Sequence, residues 1–145
     1  MKLYTIGFTQ KSARQFFDLL AQNGVQRLVD IRVHPDGQLA GFAKKEDLRY
    51  FLERLNGCDY VPLPLLAPAE ETMKAYREDR DWEKYRAAYL ALLDRRGVPG
   101  SLDRSLFAEK TCCLLCSEAS PEHCHRRLAA ERLAEAWGDV EIVHL

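Results

Sequence analysis

The stretch LLCSEASPEHCHRRLAAERL, residues 114–133, sets Cys116, Glu118, Cys124, His125 and Arg126 within one short segment. A cysteine near a cation or a helix N-terminus becomes a thiolate nucleophile, while glutamate and histidine move protons. Arginine recognises phosphate or carboxylate, and mixed cysteine and histidine can hold zinc. Spacing sorts these chemistries. A phosphatase-like nucleophile needs an arginine six residues after its cysteine, but residue 122 is Glu and residue 130 is Ala. The short cysteine-to-arginine turn of a sulfur transferase is absent as well. A zinc site would draw on Cys113 or Cys112 with Cys116, Cys124 and a histidine. In an extended strand, however, Cys113 and Cys116 face opposite ways, and TCCLLC has no glycine to form the usual tight zinc turn. Cys112 and Cys113 read as small core-filling residues. No cofactor is therefore expected, and a zinc-stabilised domain stays a minority alternative.

A second charged set lies in LVDIRV, where Asp30 and Arg32 alternate and share one face of an apolar strand. They read either as a structural ion pair, Asp30 with Arg32 or Arg126, or as part of a polar pocket. In the pocket reading Asp30, Glu118 and His125 handle protons, and Cys116 or Cys124 is the nucleophile. Arg32 and Arg126 hold an anion beside Gly7 and Thr9.

The elements that must position these groups follow from local signals. Lys2–Ile6 is a short strand closed by Gly7. Ser12 and Gln15 have the form of a capping box before Phe16, Phe17, Leu19 and Leu20, a helix stopped at Gly24. Leu28–Val33 is a second strand, so strand, helix and strand make a parallel βαβ unit. Residues 34–43, with Pro35, Gly37 and Gly41, form a mobile loop. A helix over Leu48, Phe51, Leu52 and Leu55 ends near Gly57, and Tyr60–Pro64 is an edge segment. Residues 68–96 carry one or two amphipathic helices marked by Trp82, Tyr85, Tyr89, Leu92 and Leu93. Thr111–Cys116, apolar throughout, is a central strand. Ser120, Pro121 and Glu122 start a helix that runs to Trp137 and ends at Gly138, and residues 140–144 are the last strand. At roughly 100° per residue, His125 and Arg126 fall near the inward arc of that helix, and Arg127 and Glu131 on its solvent side.

These elements predict an α/β fold: one compact domain over residues 1–145, a mainly parallel sheet flanked by helices in a Rossmann-like three-layer arrangement. Ligands of such sheets bind beyond the C-terminal strand ends, which places Cys116 at the site. The 145 residues carry 47% hydrophobic and 30% charged side chains with net charge −1, so no global field draws nucleic acid or a membrane. Five cysteines, an odd number, point to reduced thiols. With MKLYTIG lacking the apolar core of a secretion signal, the expected setting is cytoplasmic and free of membranes.

Three motifs, T-I-G-x-T (Thr5–Thr9), D-I-R-x-x-P (Asp30–Pro35) and C-x-E-x5-C-H-R (Cys116–Arg126), resemble a bacterial and archaeal family called domain of unknown function 488. The resemblance implies an α/β fold with a polar site at Thr5, Gly7, Thr9, Asp30, Arg32, Pro35, Cys116, Glu118, Cys124, His125 and Arg126. It implies no reaction. The chain departs from the family at Leu65-Leu66-Ala67, where a Leu-Gly is common. The leading expectation is an enzyme acting on a small phosphate- or carboxylate-bearing ligand, a nucleotide or nucleic acid among them. The alternative is a non-catalytic nucleic-acid-binding or regulatory module. Substrate and oligomeric state are not legible.

Overall fold

Hydrophobic residues alternate along the strands and recur at helical spacing between them, and the computed structural model turns both patterns into layers; it describes residues 1–37 and 40–145. Five strands, β1 (Lys2–Gly7), β2 (Arg27–Asp30), β3 (Asp59–Pro62), β4 (Cys112–Cys116) and β5 (Glu141–His144), form one parallel sheet in the order β3-β2-β4-β1-β5. All five residues of β4 are buried, as its unbroken apolarity requires for the central position.

One sheet face carries Tyr4, Ile6, Leu28, Cys113 and Leu115. Against it packs α1 (Ala13–Gln22) through Phe16, Phe17 and Leu20. The helix starts at the expected capping box: Gln15 N donates to Ser12 Oγ at 3.1 Å, and Ser12 N to Gln15 Oε1 at 2.9 Å. Leu48 and Leu52, from α2 (Lys45–Phe51) and the π-helical turn that extends it to Asn56, complete this layer. The opposite face carries Leu3, Val29, Cys112 and Leu114. It is covered by α4 (Trp82–Arg95) through Tyr89 and Leu93, and by α6 (His125–Trp137) through Leu128, Ala129 and Leu133. Each fully buried leucine contributes roughly 1.5–3 kcal/mol of hydrophobic stabilisation. The segment over residues 68–96 resolves into two helices, α3 (Glu70–Asp79) and α4, with Arg80 at φ 53° between them. A short helix, α5 (Ser105–Ala108), precedes β4.

The strand order fixes where a site can lie. The chain leaves β1 across β4 towards β2 through α1 on one face. It leaves β4 across β1 towards β5 through α6 on the other. Right-handed crossovers in opposite directions must use opposite faces. The loops after β1 and β4 therefore part, and a crevice opens above the paired residues Gly7 and Cys116. Of the loop expected at residues 34–43, positions 38 and 39 lie outside the described residues. Gly41–Ala43 forms one turn of 3-10 helix.

Candidate functional site

Arg126 is the largest side chain that the fold buries completely. Its Nε donates to Thr5 Oγ1 at 3.2 Å, its Nη1 to Cys116 Sγ at 3.1 Å and to the Glu118 carbonyl, and its Nη2 to the Ala119 carbonyl at 3.5 Å. Thr5 in turn lies 2.6 Å from His144 Nδ1 on the edge strand. Gly7 makes room for this arrangement, since a Cβ there would fall 1.6 Å from the Glu118 carbonyl oxygen and 2.6 Å from Arg126 Nη1. Two expectations change accordingly. Arg126 is not a ligand-binding arginine on the crevice wall; all three of its side-chain nitrogens are spent on the protein beneath that wall. Gly7 is covered by Glu118 and Arg126 and stands behind the cavity wall.

The expected helix start moves as well. Ser120 Oγ accepts from Glu122 N at 3.3 Å, which closes a turn and not a helix. The helix begins only at His125, with Cys124 as its N-cap and the Cys124 sulfur accepting from Arg126 N at 3.5 Å. The cap that is used satisfies a buried donor, the Arg126 N–H, whereas Ser120 serves only the exposed Glu122, and the carbonyls of Glu118 and Ala119 turn onto the Arg126 guanidinium.

Cys116 and Cys124 thus meet at the end of β4 and the start of α6. Burial raises the Cys116 thiol. The adjacent Cys124 thiol, the Arg126 guanidinium and the Glu118 backbone N–H outweigh burial and bring Cys116 below the ordinary value. Cys124 moves up, through burial and through its neighbour Cys116. His125 Nε2 lies 2.7 Å from the Ile31 carbonyl, which can only accept, so that nitrogen carries the proton and Nδ1 is left as the acceptor, 4.0 Å from Cys124 Sγ. Burial lowers the His125 pKa to about 4, helped by Arg126 and opposed by the Ile31 carbonyl.

This shift has a pH signature. The unfolded chain binds the His125 proton below about 6.5, whereas the native chain resists it down to about 4. Stability is therefore full above that window and falls on acidification through it, by roughly 3 kcal/mol in all. Urea midpoints followed across the window are expected to fall with pH in the native sequence and to flatten in His125→Gln. An unchanged slope in the variant would refute the assignment.

Asp30 and Arg32 form the structural pair. Asp30 Oδ1 accepts from Arg32 Nε at 2.9 Å and from Arg32 N at 3.1 Å, and Oδ2 accepts from Arg32 Nη2 at 2.8 Å and from the Tyr60 phenol at 2.5 Å. Enclosed by four donors and absent from the cavity wall, Asp30 is not placed to take a substrate proton. That expectation gives way to a positioning role. Burial opposes the Arg32 charge, but hydrogen bonds and attraction from Asp30 more than offset it and raise the Arg32 pKa.

Arg32 does reach the crevice. A cavity of about 580 Å³ opens there, walled by Phe8 and Arg32 from the ends of β1 and β2, by Cys116 and Glu118 after β4, and by Cys124 and His125 at the start of α6. Arg32 also lies over the Phe8 ring, 5.4 Å from its centroid. The far wall comes from Tyr76, Arg77 and Arg80 around α3 and from Tyr85 on α4. None of the four is expected at the site from the sequence, where Tyr85 is only a helix marker, because charged and aromatic residues at helical spacing look like any amphipathic surface. The predicted set is therefore divided. Arg32, Cys116, Glu118, Cys124 and His125 share the cavity, while Asp30, Gly7 and Arg126 lie behind it. Thr9 lines a separate, more open hollow with Lys11 and Arg14. Cys113 points to the α1 side of the sheet, and among the described residues no group of three or more His, Cys, Asp or Glu is placed to hold a metal ion. No helix among them is long and apolar enough to cross a membrane.

Fold and site together define a parallel α/β domain with a thiol cavity built over a buried arginine. The chain belongs to the family described as domain of unknown function DUF488, whose model matches residues 12–133. That span includes Asp30, Arg32 and the whole Cys116–Arg126 segment; Thr5, Gly7 and Thr9 precede it. The family is uncharacterised and fixes no reaction. No curated protein and no solved structure matches the chain.

Proposed function

We propose that the protein is a thiol-dependent enzyme acting on a small anionic ligand, with Cys116 as its nucleophile. One observation carries this reading. Arg126 is fully buried, and among the described residues no carboxylate lies within ion-pair distance of it, yet Cys116 Sγ sits 3.1 Å from its Nη1. A buried charge without a partner is costly, so the neutralising anion is the Cys116 thiolate. The structural requirement of Arg126 and the chemical readiness of Cys116 are then one fact.

The cavity supports the ligand class. Arg77 and Arg80 face a single carboxylate on the wall, Glu118, beside an Arg32 already paired with Asp30, which favours phosphate or carboxylate. The rings of Phe8, Tyr76 and Tyr85 suit a flat apolar portion, and a nucleotide combines both features at a size the cavity admits. In the reaction the Cys116 sulfur bonds to the electrophilic atom of the ligand. The displaced group leaves with its bonding pair and takes a proton from solvent at the open mouth. Glu118, on the cavity wall, accepts a proton from water in the step that frees the enzyme.

Two measurements test this. The ultraviolet thiolate absorbance of the native protein minus that of Cys116→Ser, followed against pH, is expected to show a midpoint clearly below the ordinary thiol value of about 8.5. A midpoint at or above that value refutes the nucleophile. Alkylation of Cys116 by iodoacetamide is expected to be slowed by AMP and benzoate but not by adenosine and benzamide. Equal protection within each pair refutes the anionic ligand.

A further inference from the structure

The nucleophile is not alone on its wall. Cys116 and Cys124 both border the cavity while almost wholly buried, both are free thiols, and a single residue holds them: Arg126 gives Nη1 to one sulfur at 3.1 Å and its backbone N–H to the other at 3.5 Å. The other cysteines differ. Cys58 and Cys113 sit in the layer under α1, and Cys112 donates to the Leu106 and Lys110 carbonyls. Burial drives the Cys58 thiol up to about 12 and Cys112 up to about 11, so neither is poised to react.

We propose that Cys116 and Cys124 are a redox-active dithiol that a hydroperoxide closes to an intramolecular disulfide, Cys116 attacking and Cys124 resolving. The inference rests on the reading of Cys116 as the thiolate of the cavity. In the first step the Cys116 thiolate attacks the terminal peroxide oxygen. An S–O bond forms, the O–O bond breaks, and the departing hydroxide or alkoxide takes a proton from solvent. Cys116 becomes a sulfenic acid, oxidised by two electrons, and the peroxide is reduced to water or an alcohol. In the second step the Cys124 sulfur attacks the Cys116 sulfur. The S–S bond forms, the S–O bond breaks, and the leaving hydroxide departs as water with the proton of the Cys124 thiol. His125 Nδ1, the unprotonated ring nitrogen 4.0 Å from Cys124 Sγ, is placed to relay that proton. A small thiol or dithiol reductant restores the pair by exchange.

The placement of the two sulfurs assigns these roles. Cys116 has the guanidinium that stabilises a thiolate before attack. Cys124, at the N-cap of α6, sits one residue from His125 and two from the arginine. Closing the disulfide also removes the negative charge beside Arg126, so oxidation turns off the same thiolate that the anionic ligand requires.

The test uses the full chain treated with one equivalent of hydrogen peroxide, then thiol blocking, intact mass and peptide mapping. The native protein is expected to lose two hydrogens, to recover them with dithiothreitol, and to yield a Cys116–Cys124 cross-linked peptide. Cys124→Ser is expected to stop at a sulfenic acid on Cys116 that dimedone traps, and Cys124→Ala provides the same readout should the serine variant not fold. No mass loss in the native protein, or a cross-link through Cys58, Cys112 or Cys113, overturns the proposal. A depressed Cys116 midpoint without a disulfide refutes the redox pair alone. An ordinary midpoint refutes the nucleophile reading itself.

Discussion

Asp30→Ala is expected to cost about 3–5 kcal/mol, because it leaves the Arg32 guanidinium buried and unpaired. Against a total of about 5–15 kcal/mol for an ordinary domain, that is enough to unfold much of the population on mild warming. The loss is larger than for an exposed pair such as Lys84 with Asp79, whose attraction water and salt screen. The Asp30 carboxylate also accepts from the Tyr60 phenol, so its removal leaves a second buried donor without a partner. The check is a double-mutant cycle by urea denaturation. Asp30→Ala and Arg32→Met singly, then together, are expected to give a double variant well above the sum of the two losses, since the orphaned charge is then gone. An Asp30→Ala cost below about 1 kcal/mol, the range of an exposed pair, would remove the ion pair from the architecture of the site. It would also free Asp30 for the catalytic role that the geometry denies it.

The same pair marks the boundary between what the sequence discloses and what it does not. Alternation in LVDIRV places Asp30 and Arg32 on one face, and the structure joins them in a two-pronged contact. Alternation gives direction but not depth, so it could not say that Arg32 ends at a cavity while Asp30 ends behind it. Tyr60, which closes the carboxylate, comes from the next strand and is invisible to a local pattern. Helical spacing likewise sends His125 and Arg126 inward and leaves Arg127 to pair with Glu131 at 3.6 Å, one turn on. Whether an inward arginine meets a ligand or a set of carbonyls depends on residues 117–119, and no periodicity describes their path. The helix start at Ser120 fails for the same reason. Its local signals are satisfied by a turn, and the helix begins at the Cys124 cap, where a buried N–H is satisfied. TCCLLC and the Ser12 capping box were readable because burial and capping there depend on neighbours in the chain. Apolar continuity needs no partner to be recognised; a cysteine and the buried guanidinium beside it do.

Arg126→Met joins stability to chemistry in one substitution. It leaves the Glu118 and Ala119 carbonyls without their donor and takes the cation from beside Cys116, so a destabilisation of about 2–4 kcal/mol is expected from the polar groups left unsatisfied. The Cys116 thiol is expected to titrate higher than in the native protein, because burial is then opposed only by the Cys124 thiol and the Glu118 backbone N–H. The reciprocal change, Cys116→Ser, removes the anion and leaves Arg126 as a buried cation that a neutral hydroxyl does not offset. Its cost is therefore expected to depend on pH. A folded pKa below the unfolded one adds stability that is complete above the unfolded value and is lost as pH falls through the folded value. The native protein should therefore outlast Cys116→Ser by the widest margin in alkali, and the margin should shrink on acidification. In the double variant Arg126→Met with Cys116→Ser neither charge exists, and its stability should exceed the sum of the single effects by at least about 1 kcal/mol, the scale of a direct interaction between neighbours. Strict additivity, with a Cys116→Ser cost that ignores pH, would mean that the sulfur beside Arg126 is a thiol like any other. The cavity would then lose its nucleophile.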